Sequence, residues 1–159
     1  MKYAFPIALV ALLWFLGCKS DTKAATFSGL QGEKDGHPLF AIVDSSFRNQ
    51  KARAGFPWFL SVSTQLKDPT ADGLTMNQEA SALNDWEDLL ERNYLGGCRF
   101  LYVGRVTWNG SRQLLYYLDK PDCAETRLKK FARDFPERVF EFQYQRDEQW
   151  ERVSTYLKE

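Results

Sequence analysis

The chain has 159 residues, with 21 Lys+Arg against 21 Asp+Glu and one His, a formal net charge of zero at pH 7. That balance argues against a nucleic-acid binder, which needs clustered Lys and Arg against phosphate, and against a polybasic membrane sensor. Twelve Phe, seven Tyr and five Trp supply the apolar material for one modest core, which a disordered chain lacks.

Lys2 is a short positive flank, and Ala4 to Leu16 is an apolar run with one Pro that stops at Gly17, Cys18 and a polar stretch. This is the build of a secretory signal, too short for a spanning helix, which takes about 20 apolar residues. "LLWFLGCKSD" resembles the lipobox of bacterial lipoproteins, in which a small residue precedes the Cys that is lipidated and becomes the first residue after cleavage. Gly17 and Cys18 match; Phe15 and Leu16 depart, since the pattern has Leu three places before the Cys and a smaller residue next. The residues leave two alternatives open, a cleaved signal with a bystander Cys and an uncleaved anchor. The resemblance implies a signal peptide over residues 1–17, palmitate and diacylglycerol on Cys18, and a place in the bacterial cell envelope. Lys19 stands where an Asp would retain such proteins at the inner membrane, so the outer membrane is favoured over the inner. Loss of residues 1–17 removes one charge, Lys2, and leaves 20 Lys+Arg against 21 Asp+Glu. Residues 18–37 show little apolar periodicity and read as a flexible tether, with a single α+β domain expected over residues 38–159.

Within that domain, Leu39 to Phe47 and Phe56 to Leu66 are rich in β-branched and aromatic residues and predict strands, separated by the charged, Gly-containing "RNQKARAG". "KDPTADG" has loop chemistry. Asn77 can cap a helix running to about Asn93, with Leu83, Trp86, Leu90 and Tyr94 on one stripe and Glu79, Asp85, Asp88 and Glu91 opposite. After "YLGGC", Arg99 to Trp108 and Arg112 to Leu118 predict a hairpin closed at Asn109-Gly110, the dipeptide preferred where a turn demands positive φ. Pro121 opens a second helix to about Phe135, with Ala124, Leu128, Phe131 and Phe135 on one face. Arg138 to Gln145 alternates as a half-buried strand, and Glu148 to Leu157 ends the sequence as a short helix with Trp150, Val153 and Leu157 inward. From Trp58 on, the order strand, helix, strand, strand, helix, strand predicts a ferredoxin-like antiparallel sheet with helices on one face, plus one extra N-terminal strand and a C-terminal helix.

"GFPWFLSVSTQLKD", "YVGRVTWNGSRQLLYYL" and "DEQW", in this order and spacing, resemble the family catalogued as domain of unknown function 695, over roughly Leu39 to Leu157. That resemblance implies no activity and no catalytic residues. A similarity of element order to the ribonuclease-E-inhibitor type of regulator, which acts inside the cell by binding protein, implies a binding module.

The chemistry on offer is sparse. His37, the one histidine, lies at the end of the expected tether without a metal-ligand partner in spacing and reads as a surface residue. No phosphate loop, GxSxG elbow or HExxH is present, and no cofactor or metal is expected. Asp85, Glu87, Asp88 and Glu91 read as the solvated face of the first helix. Asp68, Asp72 and Asn77 lack the Gly and Glu of a calcium loop. Arg105, in mid-strand beside Val103, Val106 and Thr107, either lies in water or in an internal ion pair, or points at an anionic group that its guanidinium fork matches. Arg112 across the hairpin can share its face, and with Thr107, Trp108 and Tyr116 makes a candidate binding surface; aromatic packing is the alternative use of the last two.

Two function classes follow. One is a non-catalytic envelope module that binds a protein or peptide, with the membrane as its second partner through Cys18. The other is a small envelope hydrolase or transferase with its site near Arg105. Export also makes Cys98 and Cys123 a candidate disulfide, because a hairpin returns to where it began and both flank it; two separate thiols remain the alternative if the helix start misses the required approach.

Overall fold

The computed structural model describes residues 25–158; the expected signal, Cys18 and the first part of the expected tether lie outside the described residues. The fold is α+β. Six strands, β1 (Phe27–Lys34), β2 (His37–Asp44), β3 (Trp58–Gln65), β4 (Phe100–Trp108), β5 (Ser111–Leu118) and β6 (Phe140–Arg146), form one antiparallel sheet in the order β1-β2-β4-β5-β3-β6. Among the described residues three α-helices accompany it, α1 (Asn77–Leu89), α2 (Asp122–Asp134) and α3 (Glu151–Leu157).

The stretch expected as tether through residue 37 instead carries β1 and opens β2, so the sheet has two added N-terminal strands, not one. β1 pairs with β2 from Phe27 opposite Asp44 to Lys34 opposite His37, and the backbone reverses at Asp35-Gly36, both at positive φ. Asp44 fixes the entry: its Oδ1 accepts from the Thr26 and Ser46 N–H groups. An edge strand is held by its ladder and buries little, so a polar sequence serves and leaves no apolar alternation to read.

The two helices of the expected four-strand unit share one face, and the C-terminal helix lies on the other. α1 and α2 cover one face, where Leu60, Val62, Leu114, Tyr116 and Leu118 meet Trp86, Leu90, Leu128 and Phe131. α3 covers the other, where Ala41, Val43, Val106, Leu115 and Tyr117 meet Trp150, Val153 and Leu157. The run Leu114-Leu115-Tyr116-Tyr117-Leu118 is buried throughout, as a strand covered on both sides must be. α3 starts three residues later than expected because Asp147 to Trp150 forms its entry. The Asp147 carboxylate accepts from the N–H groups of Glu151 and Arg152 and from the Tyr117 hydroxyl, while Trp150, at φ 59°, stacks on Tyr117 at 3.7 Å between ring centroids.

Two further features place α1. The β4–β5 turn is Asn109-Gly110, both at positive φ, and the loop after β3 docks on it: Gly110 N–H donates to the Gly73 carbonyl, and a Cβ on Gly73 would lie 2.8 Å from Gly110 N. The Glu79 carboxylate, in the first turn of α1, accepts from Lys67 and Asp68 N–H and pairs with Arg138. The expected Asn77 cap does not form; the helix begins at Asn77 behind Met76, and no side-chain oxygen caps it. Its far end widens into a π-helical turn, Leu90–Tyr94. β4 bulges between Tyr102 and Gly104, and Gly104 sits so close to β2 that a Cβ would meet the Ile42 carbonyl oxygen at 2.2 Å. Among the described residues no helix is long and apolar enough to cross a membrane.

Cys98, just before β4, is joined to Cys123 in the first turn of α2, with Cα atoms 5.8 Å apart and a sequence separation of 25. Closing a loop of that length removes entropy from the unfolded state worth about 3–4 kcal/mol. The paired Cys98→Ser, Cys123→Ser variant is expected to unfold in urea with a free energy lower by that amount and to match the reduced wild type. Equal stability of reduced and oxidised protein would contradict the clamp.

Candidate functional site

Strand alternation places Arg105 and Thr107 of β4, and Arg112 and Tyr116 of β5, on the face under α1; Thr107 lies directly opposite Arg112, and Arg105 opposite Leu114. Trp108, the fifth residue of the expected surface, points to the other face. Its indole N–H donates to the Lys34 carbonyl, the Lys34 ammonium lies over its ring, and it packs against the α3-side core.

The two guanidinium groups converge on α1. Arg105 Nη1 donates to Glu87 Oε2 at 2.9 Å and Asn84 Oδ1 at 2.7 Å; Arg112 Nη1 donates to Glu87 Oε1 at 3.0 Å and Asn84 Oδ1 at 3.3 Å. Arg112 Nη2 reaches the Thr75 hydroxyl at 3.3 Å. Glu87 and Arg112 are each 5% exposed, whereas the Arg105 side group keeps 23% of its surface in water. Burial pulls Arg112 below its ordinary value and the Glu87 charge opposes that pull, so the guanidinium stays charged.

One helical turn on, Glu91 accepts from the buried Tyr116 hydroxyl at 3.1 Å. Burial first, then the charges of Glu87 and Asp88, push its carboxyl up to about 7, against the hydrogen bond from Tyr116. The Tyr116 phenol is raised in turn, chiefly by burial. Glu91 belongs to the π-helical turn, a local widening that often re-aims side chains at functional sites.

β1 and β2 carry the sheet beyond α1, and on this face a groove runs between β2 and the helix. Its floor is Phe40 and Ile42. Two cavities open along it, about 230 Å³ beside Thr75, Ala80 and Arg112 and about 340 Å³ beside Phe27, Glu91 and Tyr102; Ile42 and Arg105 line both.

Glu87 and Glu91 are corrections to the expectation of a fully solvated acidic face: with Asn84 they form a polar stripe at spacings of three and four, one position along from the apolar stripe Leu83, Trp86, Leu90. That spacing is the signal available in sequence, hidden because Asp85 and Asp88, which do face water, share the run. Among the described residues no three His, Cys, Asp or Glu residues are placed to hold a metal. His37 stands exposed at the start of β2.

A family model described as a family of unknown function, DUF695, matches residues 30–158. No curated protein and no solved structure matches the sequence.

Because the native Glu91 holds its proton up to about pH 7 and the unfolded one releases it near 4.5, the native state binds more protons in between, and stability falls as pH rises through that window. Glu91→Gln keeps an acceptor for Tyr116 and removes the titration. The variant should melt close to wild type at pH 4.5 and above it at pH 8. Parallel melting curves at both pH values would contradict the burial of this carboxyl.

Proposed function

The chain belongs to the family of unknown function DUF695, and we propose that it is a non-catalytic module of the bacterial cell envelope, lipid-anchored through Cys18 at the outer membrane, that binds a protein or peptide. The observation that carries this reading is the groove between β2 and α1, apolar on its floor and marked midway by a partly exposed guanidinium. Apolar grooves marked by a few placed polar groups are natural docking sites for peptides. The pairing of both arginines with Glu87 favours a positioning use over a catalytic one. The order of the four later strands, β4-β5-β3-β6, with α1 and α2 as crossovers on one face, supports reading them as a ferredoxin-like unit extended by β1 and β2.

The anchor and the fold fit together. From Lys19 to Thr26 are eight residues, which reach at most about 29 Å when extended, so a lipid on Cys18 holds the Phe27 end of the sheet near the bilayer. Two or more acyl groups suffice for stable anchoring without a spanning helix. A small hydrolase or transferase is the second reading, favoured by one observation, the Glu91 carboxyl poised near neutrality against Tyr116.

The test is made in cells of the native host. Wild type should take up labelled palmitate and fractionate with membranes, and Cys18→Ser should do neither. A photo-crosslinking amino acid in place of Asp88, beside the groove, should yield a discrete adduct that the same group at Thr155, an exposed position on α3, does not. Adducts equal at both positions, or absent from both, would contradict the module, and unlabelled wild type would contradict the anchor.

A further inference from the structure

The smaller cavity has a composition that its neighbour lacks. Among the described residues no carboxylate lines it: its polar contributors are Arg105, Arg112, Thr75 and Thr107, all able to donate. Much of that donor capacity has no acceptor. Among the described residues both bonds of Arg105 leave through Nη1, so Nη2 and Nε are without a protein partner, and Arg112 Nε is buried with none. The local charge is uneven as well, two guanidinium groups against the single Glu87 carboxylate that touches them. Apolar surface from Phe40, Ile42 and Ala80 surrounds these donors. The larger cavity is the reverse, lined by Glu87, Asp88 and Glu91.

We propose that the groove is a carboxylate-recognition site for a peptide, in which a carboxylate enters the smaller cavity and accepts from the free edge of the Arg105 guanidinium while an apolar neighbour packs on Phe40 and Ile42. This rests on the binding-module reading and names its ligand class. A guanidinium edge presents two parallel N–H groups that match both oxygens of a carboxylate, and the Nε and Nη2 edge of Arg105, partly exposed and without a protein partner among the described residues, is open to such a ligand. The acidic cavity next door selects against a run of carboxylates, so a single acidic group beside apolar residues binds better than a polyacidic tract. An Asp or Glu carboxylate within a peptide and the free carboxylate at a peptide's end share the required chemistry.

The experiment is an NMR titration of the soluble domain beginning at Lys19, with the disulfide intact, using four probes. Acetyl-Leu-Asp-Leu-amide supplies an internal Asp carboxylate, acetyl-Leu-Asn-Leu with a free terminus supplies a terminal one, acetyl-Leu-Asn-Leu-amide supplies neither, and inorganic phosphate is a bare anion. At least one carboxylate peptide should shift the Arg105 Nε–H and the amides of Ile42 and Ala80 with an affinity tenfold or more above the uncharged peptide, and which of the two does so identifies the source. Arg105→Gln should abolish that preference. Ala80→Trp, which fills the cavity and leaves the ion pairs untouched, should abolish binding with an unchanged melting temperature, so the result stands even if the arginine variant fails to fold. Equal binding of charged and uncharged peptides, shifts mapping away from the groove, or phosphate reproducing the peptide shifts at equal concentration would overturn the proposal. Silent peptides alongside a crosslinked partner specific to Asp88 would overturn the carboxylate chemistry while leaving the module in place.

Discussion

One buried carboxylate holds this fold's polar centre. Glu87 reaches down from α1 and accepts from Arg105 on β4 and Arg112 on β5, tying the helix to the two strands of the central hairpin. Removing one member of such a buried group leaves charge without compensation and costs about 3–5 kcal/mol, although apolar replacement of a whole pair is often neutral. Its value is therefore positional. Apolar packing of Leu83, Trp86 and Leu90 tolerates small slides of a helix over a sheet, whereas charged hydrogen bonds to two neighbouring strands do not. The same contact sets Arg105 partly in water at the mouth of the groove.

The rest of the architecture supports that contact from both ends. At the hairpin end, Gly73 against Gly110 and Glu79 against the Lys67 and Asp68 N–H groups fix where α1 starts and deliver Thr75 to Arg112. At the opposite end, the Cys98–Cys123 bridge ties the entry of β4 to α2. Beneath, α3 is secured by Asp147 and Trp150 against Tyr117. The motif strings that suggested a family divide between these tasks: "DEQW" serves the α3 entry, and "YVGRVTWNGSRQLLYYL" supplies the bulge, both arginines and the doubly covered strand.

Legibility followed burial. Elements with a strong apolar period, β3, α1, α2, β6 and the Asn109-Gly110 hairpin, were readable because their packing writes that period into the sequence. β1 was not, since an edge strand stabilised by its ladder needs few apolar residues. The second covered face was legible in principle from Leu114 to Leu118, yet an apolar run fits a strand covered on either one or both sides until α3 is placed. Arg105 and Arg112 stood out as cations inside apolar strands. Their partner did not: Glu87 sits between Trp86 and Asp88, and only the spacing of Asn84, Glu87 and Glu91 separates the inward carboxylates from the outward ones. Cys98 and Cys123 were placed near each other by topology, but the final approach of a helix start to a sheet is a matter of ångströms that sequence does not encode.

The most direct test of this central role is a double-mutant cycle in urea on Glu87→Leu, Arg112→Met and the two combined. Glu87→Leu alone is expected to cost about 3–5 kcal/mol because it leaves Arg112 buried and unpaired, and the combined variant should be more stable than the sum of the single losses predicts by about 2 kcal/mol or more. Losses that simply add would show that the two residues do not depend on each other, contradicting the view that Glu87 and Arg112 lock α1 to the sheet.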